Sequence, residues 1–138
     1  GCAIQTSNEK TLTIVGEGAL VAFGGQEGAG IGGNGNIVIN NGTIDAYGGQ
    51  YGAGIGSEMH SPCGDITINA GKIKAIGGDQ AAGIGSGQDG ECGKIVIKST
   101  VKEVVAIAGD ECENNIGAGV DGTCGEVTIE DKTKILDE

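Results

Sequence analysis

The string Gly28-Ala-Gly-Ile-Gly32 returns as Gly52-Ala-Gly-Ile-Gly56 and, with one change, as Ala81-Ala-Gly-Ile-Gly85. A looser copy, Asn-Asn-Ile-Gly-Ala-Gly, occupies 114–119. Each copy is followed by a β-branched triplet: Ile37-Val-Ile39, Ile66-Thr-Ile68, Ile95-Val-Ile97 and Val127-Thr-Ile129. Leu12-Thr-Ile14 precedes the first copy. The triplets start at 12, 37, 66, 95 and 127, so the intervals are 25, 29, 29 and 32 residues. Self-similarity at such a period is the mark of a repeat architecture, in which each unit buries its apolar face only against its neighbours.

Within each interval lie three short extended segments separated by turns. The triplet is the first. The second ends in Ala-aromatic or Ala-Ile: Leu20–Phe23, Ile44–Tyr47, Ile73–Ile76 and Val104–Ile107. A Gly-Gly turn usually follows, and the Gly-Ala-Gly-Ile-Gly segment is the third. Helical periodicity is absent. Three short strands per turn predict an all-β parallel β-solenoid, a three-sided β-helix of four to five coils. Parallel crossovers are right-handed as a general rule, and the coil is expected to follow it. Residues 1–11 read as an N-terminal cap or linker, 12–131 as the repeat domain and 132–138 as a C-terminal tail.

Stacking the coils in register tests this, because equivalent residues then fall about 4.8 Å apart. The inward columns come out apolar throughout: Leu12/Ile37/Ile66/Ile95/Val127, Ile14/Ile39/Ile68/Ile97/Ile129, Leu20/Ile44/Ile73/Val104, Ala22/Ala46/Ala75/Ala106 and Ile31/Ile55/Ile84/Ile116. The outward columns set Asp45 over Lys74, Lys72 over Glu103, Lys98 over Glu130 and Asn40 over Asn69. Opposite charges and like amides are what neighbouring rungs tolerate best. Length changes, around Thr100 and Glu111–Glu113, fall between strands, where insertions leave a stacked core intact.

Composition agrees. The 138 residues include one Phe, two Tyr, one Met and no Trp, against 30 Gly and a single Pro. Ile, Val and Ala must therefore fill a long, narrow core. Eight lysines, no arginine and nineteen acids give a net charge of −11. Phosphate contacts carry nucleic-acid affinity, so nucleic acid is excluded as an expected partner. No apolar run reaches the length of a membrane span, so no membrane insertion is expected. Calcium is the cofactor such a surface can attract, through the loop acids Asp89, Glu91, Asp110, Glu111, Glu113 and Asp121. Neither an EF-hand nor a nonapeptide calcium repeat is present, and solvated acidic loops are the preferred interpretation.

The pattern GAGIG, about nine residues ending in Cys-Gly, then x-ITI resembles Gly-rich repeats of secreted and cell-surface proteins from gut anaerobic bacteria. The stretch IVIKSTVKEVVAIAGDECENNIGAGVDGTCGEVTIED resembles the closing unit of such arrays. The resemblance covers roughly residues 12–131. It implies an extracellular or cell-surface repeat module, and it brings no catalytic residues with it.

Three of five cysteines share one repeat position, Cys63, Cys92 and Cys124, each followed by Gly; the first coil has Asn34 there. Neighbouring rungs lie within disulfide range, so either Cys63–Cys92 or Cys92–Cys124 is geometrically allowed. A column of buried free thiols acting as small hydrophobes is the alternative. Cys112 can then pair with the leftover ladder cysteine, leaving Cys2 odd. No CxxC pair is present, His60 is poorly placed to help, and no metal site is assigned.

Strand alternation also points to two faces. With Ala and Ile inward, Gly28/Gly30/Gly32, Gly52/Gly54/Gly56 and Gly83/Gly85 point outward as a flat, nearly side-chain-free sheet, open to packing or to a sugar ring. Phe23, Tyr47, Ile76 and Ile107 form an outward apolar column by the same rule, an interface signal if exposed. A corner bend would instead turn these largest side chains into the core, and that inward placement is the one preferred. If the column is exposed, Phe23, Tyr47 and Ile76 are the candidate ligand-binding residues. The file Thr13/Val38/Thr67/Val96/Thr128 is one column wide, which argues against an ice-binding threonine array.

No Ser-His-Asp or Cys-His set can be drawn around His60. The expected function is a non-catalytic extracellular structural or adhesion module, with carbohydrate or a neighbouring protein domain meeting a flat solenoid face. A fragment of a carbohydrate-active β-helix enzyme, a polysaccharide lyase or hydrolase, is the alternative by fold analogy. A pure structural spacer is the third. Residues 1–11 can cap one end, but the polar tail Glu130–Glu138 is a thin cover for the other, so a continuing domain or end-to-end self-association is expected.

Overall fold

The computed structural model describes residues 1–136; Asp137 and Glu138 of the expected tail lie outside the described residues. The chain is an all-β parallel solenoid of about five turns, and its three walls are three five-stranded parallel sheets. The triplet sheet holds Thr11–Ile14, Asn36–Ile39, Ile66–Ile68, Ile95–Ile97 and Val127–Ile129. The Ala-aromatic sheet holds Ala19–Phe23, Thr43–Tyr47, Lys72–Ile76, Glu103–Ile107 and Ile135–Leu136. The glycine sheet holds Ile4–Thr6, Ile31–Gly33, Ile55–Gly56, Ile84–Gly85 and Ile116–Gly117. A two-stranded ladder, Glu91–Cys92 beside Thr123–Cys124, reinforces one corner.

The register is the one the repeat implies. Ile37 pairs with Leu12 and Ile66, and Ile95 with Ile66 and Val127. Ala22, Ala46, Ala75 and Ala106 stack in file, as do Ile31, Ile55, Ile84 and Ile116. Two columns run one rung further than the repeat predicts: Ile4 heads the Ile31 file and Ile135 ends the Leu20 file. Residues 4–6 and 135–136, at the expected cap and tail, are thus strands of the walls. Twelve large side chains, eleven of them Ile and one Val101, are essentially solvent-free. Each such burial stabilises by about 1.5–3 kcal/mol relative to exposure. Val101 lies in what the sequence marks as an insertion, yet it is tucked into the core.

The outward pairs also form. Lys72 Nζ lies 3.8 Å from Glu103 and Lys98 Nζ 3.5 Å from Glu130. Asp45 faces Lys74 in register, and Asn69 donates its side-chain amide to Asn40 at 2.8 Å.

The glycine wall differs from expectation. Gly28, Gly30, Gly32, Gly52, Gly54, Gly56, Gly83 and Gly85 are all buried, so the predicted flat exposed glycine face does not exist. Only the Ile-Gly end of each later motif is extended, so outward alternation does not apply to the rest. A Cβ at Gly54 would lie 2.6 Å from the Ile76 nitrogen and 2.8 Å from the Gly83 carbonyl oxygen. At Gly56 and Gly85 it would meet the carbonyl of the next rung's glycine, and both hold φ 141°, a region disfavoured for side chains. Glycine here permits backbone to pack on backbone. Two buried serines complete the corner: Ser57 Oγ accepts from the Gly87 N–H at 2.9 Å, and Ser86 Oγ from the Gly119 N–H at 2.8 Å.

Substituting Ile66→Ala should lower the unfolding free energy by about 2–5 kcal/mol in urea titration. Gly85→Ala should cost more than about 1 kcal/mol because Ala must enter a positive-φ site. Gly18→Ala, with open space around it, should be close to neutral. Equal effects of the two glycine changes would contradict this account of the wall. Removing the hydroxyl in Ser57→Ala strands a buried N–H and should cost about 1–3 kcal/mol.

Candidate functional site

The outer face of the Ala-aromatic sheet presents three files. Phe23, Tyr47, Ile76 and Ile107 form the first, in register on successive rungs. The second is Val21, Asp45, Lys74, Val105 and Leu136, and the third Ala19, Thr43, Lys72 and Glu103. Phe23 is 67% exposed, while Tyr47, Ile76 and Ile107 are half-buried. The preferred inward placement of this column is therefore corrected. Alternation persists to the end of each strand, the slim Ala file holds the inward side, and the chain turns only at the following Gly-Gly.

The two rings stack on each other, with centroids 4.7 Å apart and planes within 9°. That separation is one rung, so the stacking follows the solenoid axis. Tyr47 has one face covered by Phe23 and has Ile76 as its neighbour on the other side. The ring face with no further strand of the sheet beyond it is that of Phe23, on the edge strand. Of the three predicted ligand-binding residues, Phe23 is the accessible platform. Tyr47 and Ile76 contribute edges and an aliphatic border.

Beside this strip runs a cleft of about 460 Å³ lined by Thr43, Asp45, Lys72, Ile73, Lys74, Glu103, Val105 and Leu136. Its carboxylates alternate with lysines, so the cleft carries balanced charge on an otherwise acidic molecule. Asp45 and Glu103 sit two rungs apart, each beside a lysine. At the C-terminal coil, the carboxyls of Glu130 and Asp131 have pKa values shifted from the ordinary one. Both are lowered, Glu130 first by the Ser99 backbone N–H it accepts and Asp131 first by the Thr133 hydroxyl.

His60 has a partner that sequence inspection missed. Its Nδ1 lies 3.3 Å from Asp89 Oδ2, on the surface. His60, Asp89 and Asp121 occupy one turn position on successive coils, with φ of 56°, 52° and 57°. Asp and His tolerate this left-handed conformation better than most residues. The adjacent Ser61 hydroxyl donates to the Met59 carbonyl at 3.2 Å, so it is not aligned as a nucleophile on His60. The loop acids Glu111, Glu113 and Asp121 line a second cleft of about 280 Å³ together with Cys112 and Asn114. All six predicted calcium candidates are exposed. Among the described residues, no three His, Cys, Asp or Glu converge as a metal site.

All five cysteines are free thiols. Cys92 and Cys124 are direct strand partners, and Cys63 stacks on Cys92 through the adjoining Pro62–Glu91 bridge. Cys63 and Cys92 are buried and Cys124 is half-buried. Cys112 sits apart from this file in its contacts, its thiol directed to the Asn114 and Ala118 carbonyls at 3.6 Å. Burial pushes the Cys2 thiol up to about 11.

A family model described as a beta helix repeat matches residues 37–57 and 66–88, the second and third coils. No curated protein and no solved structure matches the chain. The matched segments span the triplet, the Ala-aromatic strand and the glycine corner, the three parts of one turn. The repeat match and the stacked sheets agree that the chain is built as a β-helix.

Proposed function

We propose that the chain is a non-catalytic structural module of the cell surface or extracellular medium, using the Ala-aromatic wall as its contact face. The observation carrying this is the Phe23–Ile107 file, an apolar strip beside a charge-balanced cleft. A strip four rungs long suits an extended partner, a glycan or a segment of a neighbouring protein domain. Because the aromatic faces cover one another, a sugar would stack on Phe23 and run along the edges of Tyr47 and Ile76. Calcium, if it takes part, would act through the exposed loop acids. Catalysis on carbohydrate is the second reading, favoured by Asp45 and Glu103 sharing one cleft. Their lysine neighbours make charge-paired surface the better account.

The ends offer a competing use of the first coil, because a copy stacked there covers the free face of Phe23. Among the described residues, Val15, Val21, Phe23, Val127 and Leu136 are the exposed large hydrophobics, and they lie in the first or last coil. Stacking one copy on another continues the columns in register, with Ile116 over Ile4, Val127 over Leu12 and Ile135 over Leu20. A module of this kind extends by adding coils. If the lateral strip binds nothing, the spacer role remains.

A glycan array probed with and without Ca²⁺ tests the contact face. Binding should fall about tenfold or more in Phe23→Ala and less in Tyr47→Ala, taking about 1.4 kcal/mol per decade. Equal losses would contradict the edge-on geometry, a blank array would leave the spacer, and polysaccharide cleavage abolished by Asp45→Asn or Glu103→Gln would overturn the non-catalytic assignment. For the ends, light scattering should show mass rising with concentration, suppressed by Val21→Glu. A monodisperse monomer at every concentration would count against end stacking.

A further inference from the structure

The Cys63, Cys92 and Cys124 file has a property that one buried cysteine lacks. Its members occupy consecutive rungs, with Cys92 in the middle. The Cys92–Cys124 pairing is an in-register parallel ladder, and the Cys63 N–H donates to the Glu91 carbonyl at 2.7 Å, fixing the rung before it. Adjacent members are therefore about 4.8 Å apart at Cα, inside the 4.4–6.8 Å span of disulfides. The outer two are about 9.6 Å apart, beyond the 7 Å that a bridge can cross. Cys92 is thus the member adjacent to both of the others.

We propose that this column is a thiol–disulfide site: it accepts one bridge, always through Cys92, and the bridge migrates between Cys63–Cys92 and Cys92–Cys124. Thiolate attack on a disulfide needs the attacking, central and leaving sulfurs nearly in line. In-register stacking sets the three side chains in one file along the axis, which supplies that line. The Cys92–Cys124 pairing and the bond from the Cys63 N–H to the Glu91 carbonyl hold the three positions one rung apart, so attack is limited to the neighbour.

The chemistry balances with a low-molecular-weight disulfide of the glutathione class as oxidant. A Cys124 thiolate attacks one sulfur of that disulfide, giving a mixed disulfide and one released thiolate. The Cys92 thiolate then attacks the Cys124 sulfur and expels the second small thiolate. Two protein thiols have been oxidised to one bridge and the small disulfide reduced to two thiols. Migration follows with no net redox change: the Cys63 thiolate attacks Cys92 sulfur, the Cys92–Cys124 bond breaks, and Cys124 leaves as thiolate. Cys124 is the entry point because it is the half-exposed member, whereas Cys63 and Cys92 are each 7% exposed. The neighbouring Cys92 thiol lowers the pKa of Cys124, while the Cys124 and Cys63 thiols and burial raise that of Cys92. That polarity favours Cys124 as the first thiolate.

Oxidised glutathione, an acid quench and peptide mapping test this on the chain with Cys2→Ala and Cys112→Ala. Lysine-specific cleavage isolates the three ladder cysteines in separate peptides, 11–72, 75–94 and 103–132. Early samples should carry glutathione on Cys124. Later samples should hold one bridge per chain, divided between Cys63–Cys92 and Cys92–Cys124. Exchange should slow about tenfold per pH unit well below the attacking thiol's pKa, as the thiolate fraction falls. Cys92→Ala should keep glutathione on Cys124 and form no ladder bridge; Cys63→Ala should give Cys92–Cys124, and Cys124→Ala, which lacks the half-exposed entry thiol, should give Cys63–Cys92 at least about tenfold more slowly. Should Cys92→Ala unfold, the mapping of the chain with Cys92 intact still decides. A Cys63–Cys124 bridge, a single bridge that never interchanges, or no bridge at all would overturn the proposal.

Discussion

Backbone approaching backbone at the glycine corner is the constraint on which the other features rest. A three-sided coil closes only if the chain can fold back tightly after the Ala-aromatic strand, and there the space beside Gly30, Gly54 and Gly83 is already filled by main-chain atoms of adjoining strands. Closing the corner brings Ile31, Ile55 and Ile84 into the interior, opposite the triplet isoleucines. The apolar core is thus as narrow as the corner makes it. Isoleucine and alanine fit that width, which is why aromatic residues are pushed outside.

Parallel stacking then makes each position answer to the one above and below it. A column must be chemically tolerable to itself, since equivalent side chains sit one rung apart. Apolar files satisfy this by packing, Asn40 and Asn69 by an amide ladder, and charged files by alternating sign. The same rule turns Asn36 and Asp65 into carriers of the next rung: each side-chain oxygen accepts the following coil's backbone N–H, at 2.8 and 2.9 Å. A slip of one residue would reverse inward and outward files in every wall at once. Register is accordingly overdetermined.

That self-consistency explains what could be read from the chain before its structure. Columns were legible because repetition exposes them; the five apolar files and three charge pairs needed only the period. Phe23 and Tyr47 were ambiguous, since a strand end and a corner bend leave the same letters. The glycines misled for a related reason: alternation assigns them outward, but alternation holds only while backbone stays extended. Ser57 and Ser86 gave no signal, because a serine after Gly-Ile-Gly looks like an ordinary turn residue until its hydroxyl is seen accepting an N–H. Ile4 and Ile135 were hidden because they lie outside the repeated motifs, where one isoleucine carries no periodicity.

Regularity also limits where chemistry can arise. In a solenoid with short corners, side chains on one wall are parallel rather than convergent, so groups meet in files instead of around a point. Files suit processes that pass something along a line: a polymer lying across rungs, or electrons of an S–S bond moving between collinear sulfurs. They do not suit a centre needing three groups aimed at one atom. Asp45 and Glu103 illustrate this, each having a lysine on the next rung before it has the other carboxylate. The cysteine file differs in chemistry from the neighbouring files but not in geometry. Its thiols obtain their relationship from the same spacing that packs the isoleucines, so a perturbation that shifts the rungs should disturb both together.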